Sequence, residues 1–125
     1  MRKILIIGAG RSASSLIRYL LNKSEIEKLH ITIADLSVEL AQKKTQNHAN
    51  ATAIALDIFN TEQRQTEIQK ADIVISMLPA NLHIEVAKDC LSFNKSMVTA
   101  SYISPQMEAL NNEVVRKGLV FMNEV

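Results

Sequence analysis

Short apolar runs alternate with stretches of helical periodicity along all 125 residues. Residues 3–7 are apolar and β-prone, and a helical pattern over 12–22 sets Ala13, Leu16, Ile17, Leu20 and Leu21 on one face. A second strand is predicted over 30–35 and a helix over 38–47. A third strand follows over 51–57, then a short helix over 62–69. Residues 71–76 read as a strand buried on both faces, ahead of a helix over 82–92 with Leu82, Val86, Ala87, Cys90 and Leu91 on one side. A strand over 97–100, a helix over 105–117 stopped by Gly118, and a strand over 119–122 complete the pattern.

Strands that alternate with helices are the signature of βαβ units and a parallel sheet. Six of them in two βαβαβ halves predict an α/β chain with the Rossmann fold. That is a doubly wound parallel six-stranded sheet in the order 3-2-1-4-5-6, with helices on both faces, spanning residues 1–125 as one domain. Ligands of such sheets bind beyond the carboxyl ends of the strands, at the switch between strands 1 and 4.

The first strand runs straight into Gly8-Ala9-Gly10-Arg11-Ser12-Ala13, a G-x-G-x-x-A turn between strand and helix. Gly8 allows the tight turn, Gly10 lets the backbone approach a pyrophosphate, and Ala13 lets the helix lie close to the sheet. The N–H groups of Arg11, Ser12 and Ala13 are expected to point, unpaired, from the helix N-terminus toward an anion. Asp35 ends the second strand, 22 residues after Ala13. An acid about 20 residues on accepts from the hydroxyls of an adenosine ribose and repels a 2′-phosphate. Leu36-Ser37-Val38 offers no arginine for such a phosphate, which favours NAD as cofactor, with NADP possible. The alternative is that Asp35 merely caps the helix beginning near Ser37.

Other strand ends supply further candidates. Asp57 flanks the adenine position and could accept from its amine; Met77 and Leu78 could pack on ribose or adenine, and Pro79 stiffens their turn. Core filling is an equal reading for Met77. Ser101, Tyr102, Asn123 and Glu124 fall on the nicotinamide side. His30 and His48 are expected at the surface, and His83 stands near the start of its helix, either touching ligand or simply exposed. Cys90 reads as a small buried hydrophobe. No metal-ligand spacing and no serine nucleophile elbow is present.

Composition narrows the class. Hydrophobic residues make up 47% and charged residues 22%, with a net charge of +1 spread along the chain. This argues against nucleic-acid and membrane partners. A strand at the very N-terminus leaves no room for a signal peptide and suggests a cytoplasmic setting.

The second half carries a resemblance. Residues 72–79, His83, the segment 98–105 with its Ser101-Tyr102-Ile103-Ser104-Pro105 core, and the ending 120–124 together resemble saccharopine dehydrogenase of the glutamate-forming type (saccharopine reductase). The resemblance covers essentially the whole chain. It implies the nicotinamide-cofactor domain of an oxidoreductase acting on a CH–NH group, within lysine metabolism and amino-acid biosynthesis. Saccharopine would be oxidised with NAD(P) and water to glutamate and 2-aminoadipate semialdehyde. It also implies that Ser101 and Tyr102 approach substrate and nicotinamide, with Glu124 at the pocket edge; a packed aromatic is the other reading of Tyr102. The partner is then a small amino-acid substrate, and a homodimer is possible. With the family's substrate domain lying beyond these residues, the chain is expected to be a piece of a longer enzyme, inactive alone. A sibling such as carboxynorspermidine synthase, or an NAD-sensing regulatory domain of a potassium transporter, are the alternatives.

Overall fold

The computed structural model describes residues 2–10, 13–78, 82–99, 111–119 and 121–122. Six strands, β1 (Arg2–Ile7), β2 (Leu29–Asp35), β3 (Ala51–Ala55), β4 (Ile73–Ser76), β5 (Ser96–Thr99) and β6 (Phe121–Met122), form one sheet in the order β3-β2-β1-β4-β5-β6. Every neighbouring pair is parallel. The helices are α1 (Ser14–Glu27), α2 (Val38–Thr45), α3 (Thr61–Lys70), α4 (His83–Ser92) and α5 (Asn111–Arg116). The predicted doubly wound architecture and its strand order are those observed.

Alternation along the strands sends side chains into two separate cores, the reason the central strands read as continuous apolar runs. Ile4 and Ile6 of β1, Ile31 and Ile33 of β2 and Ile75 of β4 pack under Ile17 and Leu21 of α1 and Ala41 of α2. On the opposite face Leu5, Ile7, Ala34, Val74 and Met97 meet Ile68 of α3 and Val86, Ala87 and Cys90 of α4. Ile6, paired with Ile33 on one side and Ile75 on the other, is fully buried. Burial of such a side chain contributes about 2 kcal/mol.

Element ends depart from the sequence pattern where polar side chains take over. α1 runs five residues past its expected end, through Lys23–Glu27, where the apolar stripe lapses and Ile26 is exposed. Lysine and glutamate favour helix on their own. Ser24, fully buried, donates to the Leu21 carbonyl at 2.7 Å and accepts from the Asn50 amide at 3.2 Å, which fastens the extension. Lys28, at φ 55°, ends it in the left-handed region. β4 begins at Ile73 because Asp72 closes the strand start, its carboxylate accepting from the Lys3 N–H at 2.7 Å. The predicted stop at Gly118 holds: its φ is +69°, and the N–H groups of Gly118 and Leu119 return to the carbonyls of Val115 and Val114. The predicted first turns of that helix, 105–110, lie outside the described residues.

Candidate functional site: the carboxyl end of the sheet

The two glycines of the turn are glycines for different reasons. Gly8 sits at φ +102°, and a Cβ there would lie 3.2 Å from the carbonyl carbon and oxygen of Met77. Its N–H donates to the Ala34 carbonyl at 2.7 Å, while the Met77 N–H donates to the Ile7 carbonyl at 2.8 Å. The turn is therefore pinned between the ends of β2 and β4, and the fold itself demands Gly8. Gly10 is exposed, and a Cβ added to it would meet nothing within 4 Å. No packing constraint in the described protein calls for a glycine there. The open space in front of Gly10 is where a pyrophosphate would approach.

Ala13 has no exposed surface and joins the core with Ile4, Ile6 and Ile17, as a close-packed helix start requires. Its N–H is not free, which corrects the expectation: it donates to the Gly10 carbonyl at 3.1 Å, just ahead of α1. α1 has no side-chain cap and no acid in its first turn. α2 and α3, by contrast, are capped by Ser37 and Asn60. Arg11 and Ser12 lie outside the described residues.

Asp35 does two structural jobs at once. Its Oδ1 accepts from the Ala9 N–H at 2.9 Å, and its Oδ2 accepts from the Ser37 N–H at 2.9 Å. Ser37, not Asp35, caps α2, its hydroxyl accepting from the Leu40 N–H at 3.2 Å. The carboxylate thus ties the glycine turn to the start of α2. Each carboxylate oxygen accepts more than one hydrogen bond, so capacity remains for ribose hydroxyls.

Asp57 is not the end of a strand as expected, since β3 stops at Ala55. Instead Asp57 shapes the loop before α3, its Oδ1 accepting from the Phe59 N–H at 3.0 Å. Gln63 of α3 reaches back like a short strand, donating to the Ala55 carbonyl at 2.7 Å and accepting from the Asp57 N–H at 3.3 Å. The Leu56 N–H donates to the Asp35 carbonyl at 2.9 Å, so this loop lies directly beside the acid. Two residues missed in the sequence flank the place: Leu36 and Phe59 are each 77% exposed. The available signal was a large apolar residue in each of the loops after strands 2 and 3, where burial cannot explain it.

Met77 and Leu78, just past β4, part to opposite faces of the sheet. Met77 packs on the α1-side core and Leu78 on the α4-side core, both half-buried. Core filling is thus part of what each does. Pro79, Ser101, Tyr102 and Glu124 lie outside the described residues, as does the side chain of His83. His30 and His48 are at the surface but half-buried, His30 bonded to the Thr52 hydroxyl at 2.8 Å and His48 accepting from the Asn50 N–H at 3.0 Å. Cys90 is fully buried as expected, and burial, reinforced by the neighbouring Asp89, pushes its thiol up to about 12. Among the described residues no cluster of ligating side chains could hold a metal, and no helix is long and apolar enough to cross a membrane. A trough of about 500 Å³ lined by Lys3, His30, Thr32, Thr52, Glu67 and Lys70 lies at the amino ends of the strands, away from the glycine turn.

Known proteins share this fold. The family described as saccharopine dehydrogenase NADP binding domain matches residues 4–122. The chain is 30% identical, over its full length, to saccharopine dehydrogenase [NADP(+), L-glutamate-forming] of Schizosaccharomyces pombe, of which it covers 27%. It is 32% identical over 99% of its length to the mitochondrial alpha-aminoadipic semialdehyde synthase of Mus musculus, covering 13% of that protein. The solved apo structure of saccharopine dehydrogenase (L-Glu forming) from Saccharomyces cerevisiae superposes with a TM-score of 0.89 at 28% identity, over all of this chain and 27% of that one. The chain therefore spans about a quarter or less of the length of these relatives. A glycine turn with open space before it, an acid tied to that turn, and this match over nearly every residue place the chain in the family of saccharopine dehydrogenase NADP binding domains.

Proposed function

We propose that this domain holds the dinucleotide for oxidation of the secondary amine of saccharopine, in lysine metabolism. Gly10 carries the cofactor part of this reading: nothing in the described protein requires a glycine there, whereas a phosphate approaching the backbone does. The bound cofactor would supply a hydride acceptor at the carboxyl edge of the sheet. The chain's own residues bind and orient it. The turn 8–13 would receive the pyrophosphate, Asp35 the adenosine ribose, and Asp57 with Met77 and Leu78 the neighbouring walls. Ser101, Tyr102 and Glu124 are proposed for the substrate side, with Tyr102 hydrogen-bonding substrate or assisting proton transfer. Loss of the hydride and of the nitrogen proton leaves an imine, which water hydrolyses to glutamate and 2-aminoadipate semialdehyde.

For the cofactor we propose NAD over NADP. The Asp35 carboxylate stands where a 2′-phosphate would add a second negative charge, and Leu36, Ser37 and Val38 bring no cation to it. The relatives named for NADP(+) make this choice a point of difference within the family. A cytoplasmic setting and a homodimer complete the proposal, the exposed Tyr19 and Ile26 on the outer face of α1 offering apolar surface for association. The test is saccharopine-dependent formation of NADH, followed at 340 nm, by the protein carrying this domain. Tyr102→Phe should lower turnover and leave the NAD Kd unchanged. Turnover equal to wild type would remove Tyr102 from the reaction, and no NADH with saccharopine would overturn the substrate assignment.

A further inference from the structure

Among the described residues, one pair of charges is buried and lies outside the proposed site. Arg64 of α3 and Asp89 of α4 are 6% and 5% exposed, and the Arg64 Nε donates to Asp89 Oδ2 at 2.5 Å. The other carboxylate oxygen accepts from the Gln65 amide at 3.1 Å. A buried ion pair is a poor way to gain stability, because the desolvation of both groups offsets their attraction. What this pair does besides is specific. The Arg64 Nη1 donates to the Ile58 carbonyl at 2.8 Å. Ile58 stands between Asp57 and Phe59, in the loop beside Asp35. Asp89 fixes the guanidinium, the guanidinium fixes the Ile58 carbonyl, and that carbonyl belongs to the peptide that joins Ile58 to the exposed Phe59.

We propose that Arg64, held by Asp89, is a positioning residue for the adenosine end of the dinucleotide site. It would lock the loop through Ile58 so that the exposed ring of Phe59 stays available to the base. The inference rests on the dinucleotide reading above. The geometry favours a positioning role because a guanidinium can serve the carboxylate and the carbonyl together through separate, rigidly placed nitrogens. The single ammonium of lysine is a point charge and would keep Asp89 paired while releasing Ile58.

The test compares Arg64→Lys, and the double variant Arg64→Met/Asp89→Leu that removes both charges, with the wild-type chain. Titration with NAD and with ADP-ribose is read alongside amide hydrogen exchange at Phe59 and Asn60. Arg64→Lys is expected to weaken ADP-ribose binding about tenfold, the effect of one lost hydrogen bond to a charged donor. It should also speed exchange at those two amides, with competition by nicotinamide mononucleotide unchanged. The double variant should show the same loss even where its melting temperature equals or exceeds wild type. Folded variants that bind ADP-ribose as tightly as wild type would overturn the proposal. So would failure of both variants to fold, which would make the pair purely structural. A wild-type chain that binds neither NAD nor ADP-ribose would instead refute the dinucleotide reading on which the proposal rests.

Discussion

Gly8 and Gly10, two residues apart, are constrained in different ways. Gly8 is required by its positive φ and by the Met77 backbone against it, so Gly8→Ala should cost about 2 kcal/mol of stability, measured by urea unfolding. Gly10→Val should shift the melting temperature by no more than about 2 °C, because the side chain enters solvent. The same branched side chain would occupy the phosphate position and abolish NAD binding. Asp35 makes a different forecast. Since it holds the Ala9 N–H as well as the start of α2, Asp35→Ala should weaken both NAD and NADP, and NAD more. Affinity for NADP rising to the wild-type affinity for NAD would show that charge repulsion, not the tie to the turn, is its main contribution. Cys90 gives the pH dependence. Its thiol titrates near 9.0 when unfolded and near 12 when folded, so the unfolded chain releases its proton first as pH rises. Stability present below pH 9.0 should fall progressively up to about pH 12. Melting temperatures of wild type and Cys90→Ala across that range should converge as the wild type loses more.

At the scale of elements, the interiors and several ends, such as Asp35, Ser76, Ser92 and the stop at Gly118, were legible, while the ends of α1 and β3 were not. Period-two and period-3.6 patterns mark residues that face a core, and Ile17, Leu21, Val86 and Cys90 lie on the predicted helix faces. Helix ends are set by side chain to backbone bonds that leave no periodic trace. Ser24 carries α1 beyond its apolar stripe, and Gln63 and Asp57 shorten β3 by replacing its last ladder bonds. Lys28 bears a left-handed conformation that glycine adopts without strain. Lys28→Gly should therefore stabilise the domain by about 1 kcal/mol, read as a higher urea midpoint at unchanged slope.

For the whole molecule, the strand order followed from counting βαβ units, because short connections and parallel pairing admit few alternatives. The same topology gathers Gly8, Ala9, Asp35 and Met77 at one end of the sheet, although 69 positions separate Gly8 from Met77 along the chain. Sequence spacing revealed the turn and the acid as separate signals. It could not show that Asp35 bonds the turn directly, that the Ala13 N–H is already used, or that Arg64 reaches across to the Ile58 carbonyl. Those contacts depend on side-chain geometry between elements, which no local pattern encodes. The exposure of Leu36 and Phe59 was not legible, because exposure of a large apolar residue depends on how its loop leaves the sheet, which the sequence pattern does not state.

Calorimetric titration of the chain with NAD and, separately, with NADP decides whether a dinucleotide binds at the carboxyl end of this sheet. Saturable binding of one molecule per chain is expected, tighter for NAD than for NADP, and absent in Gly10→Val. No heat of binding with either dinucleotide, or undiminished binding by Gly10→Val, would contradict it.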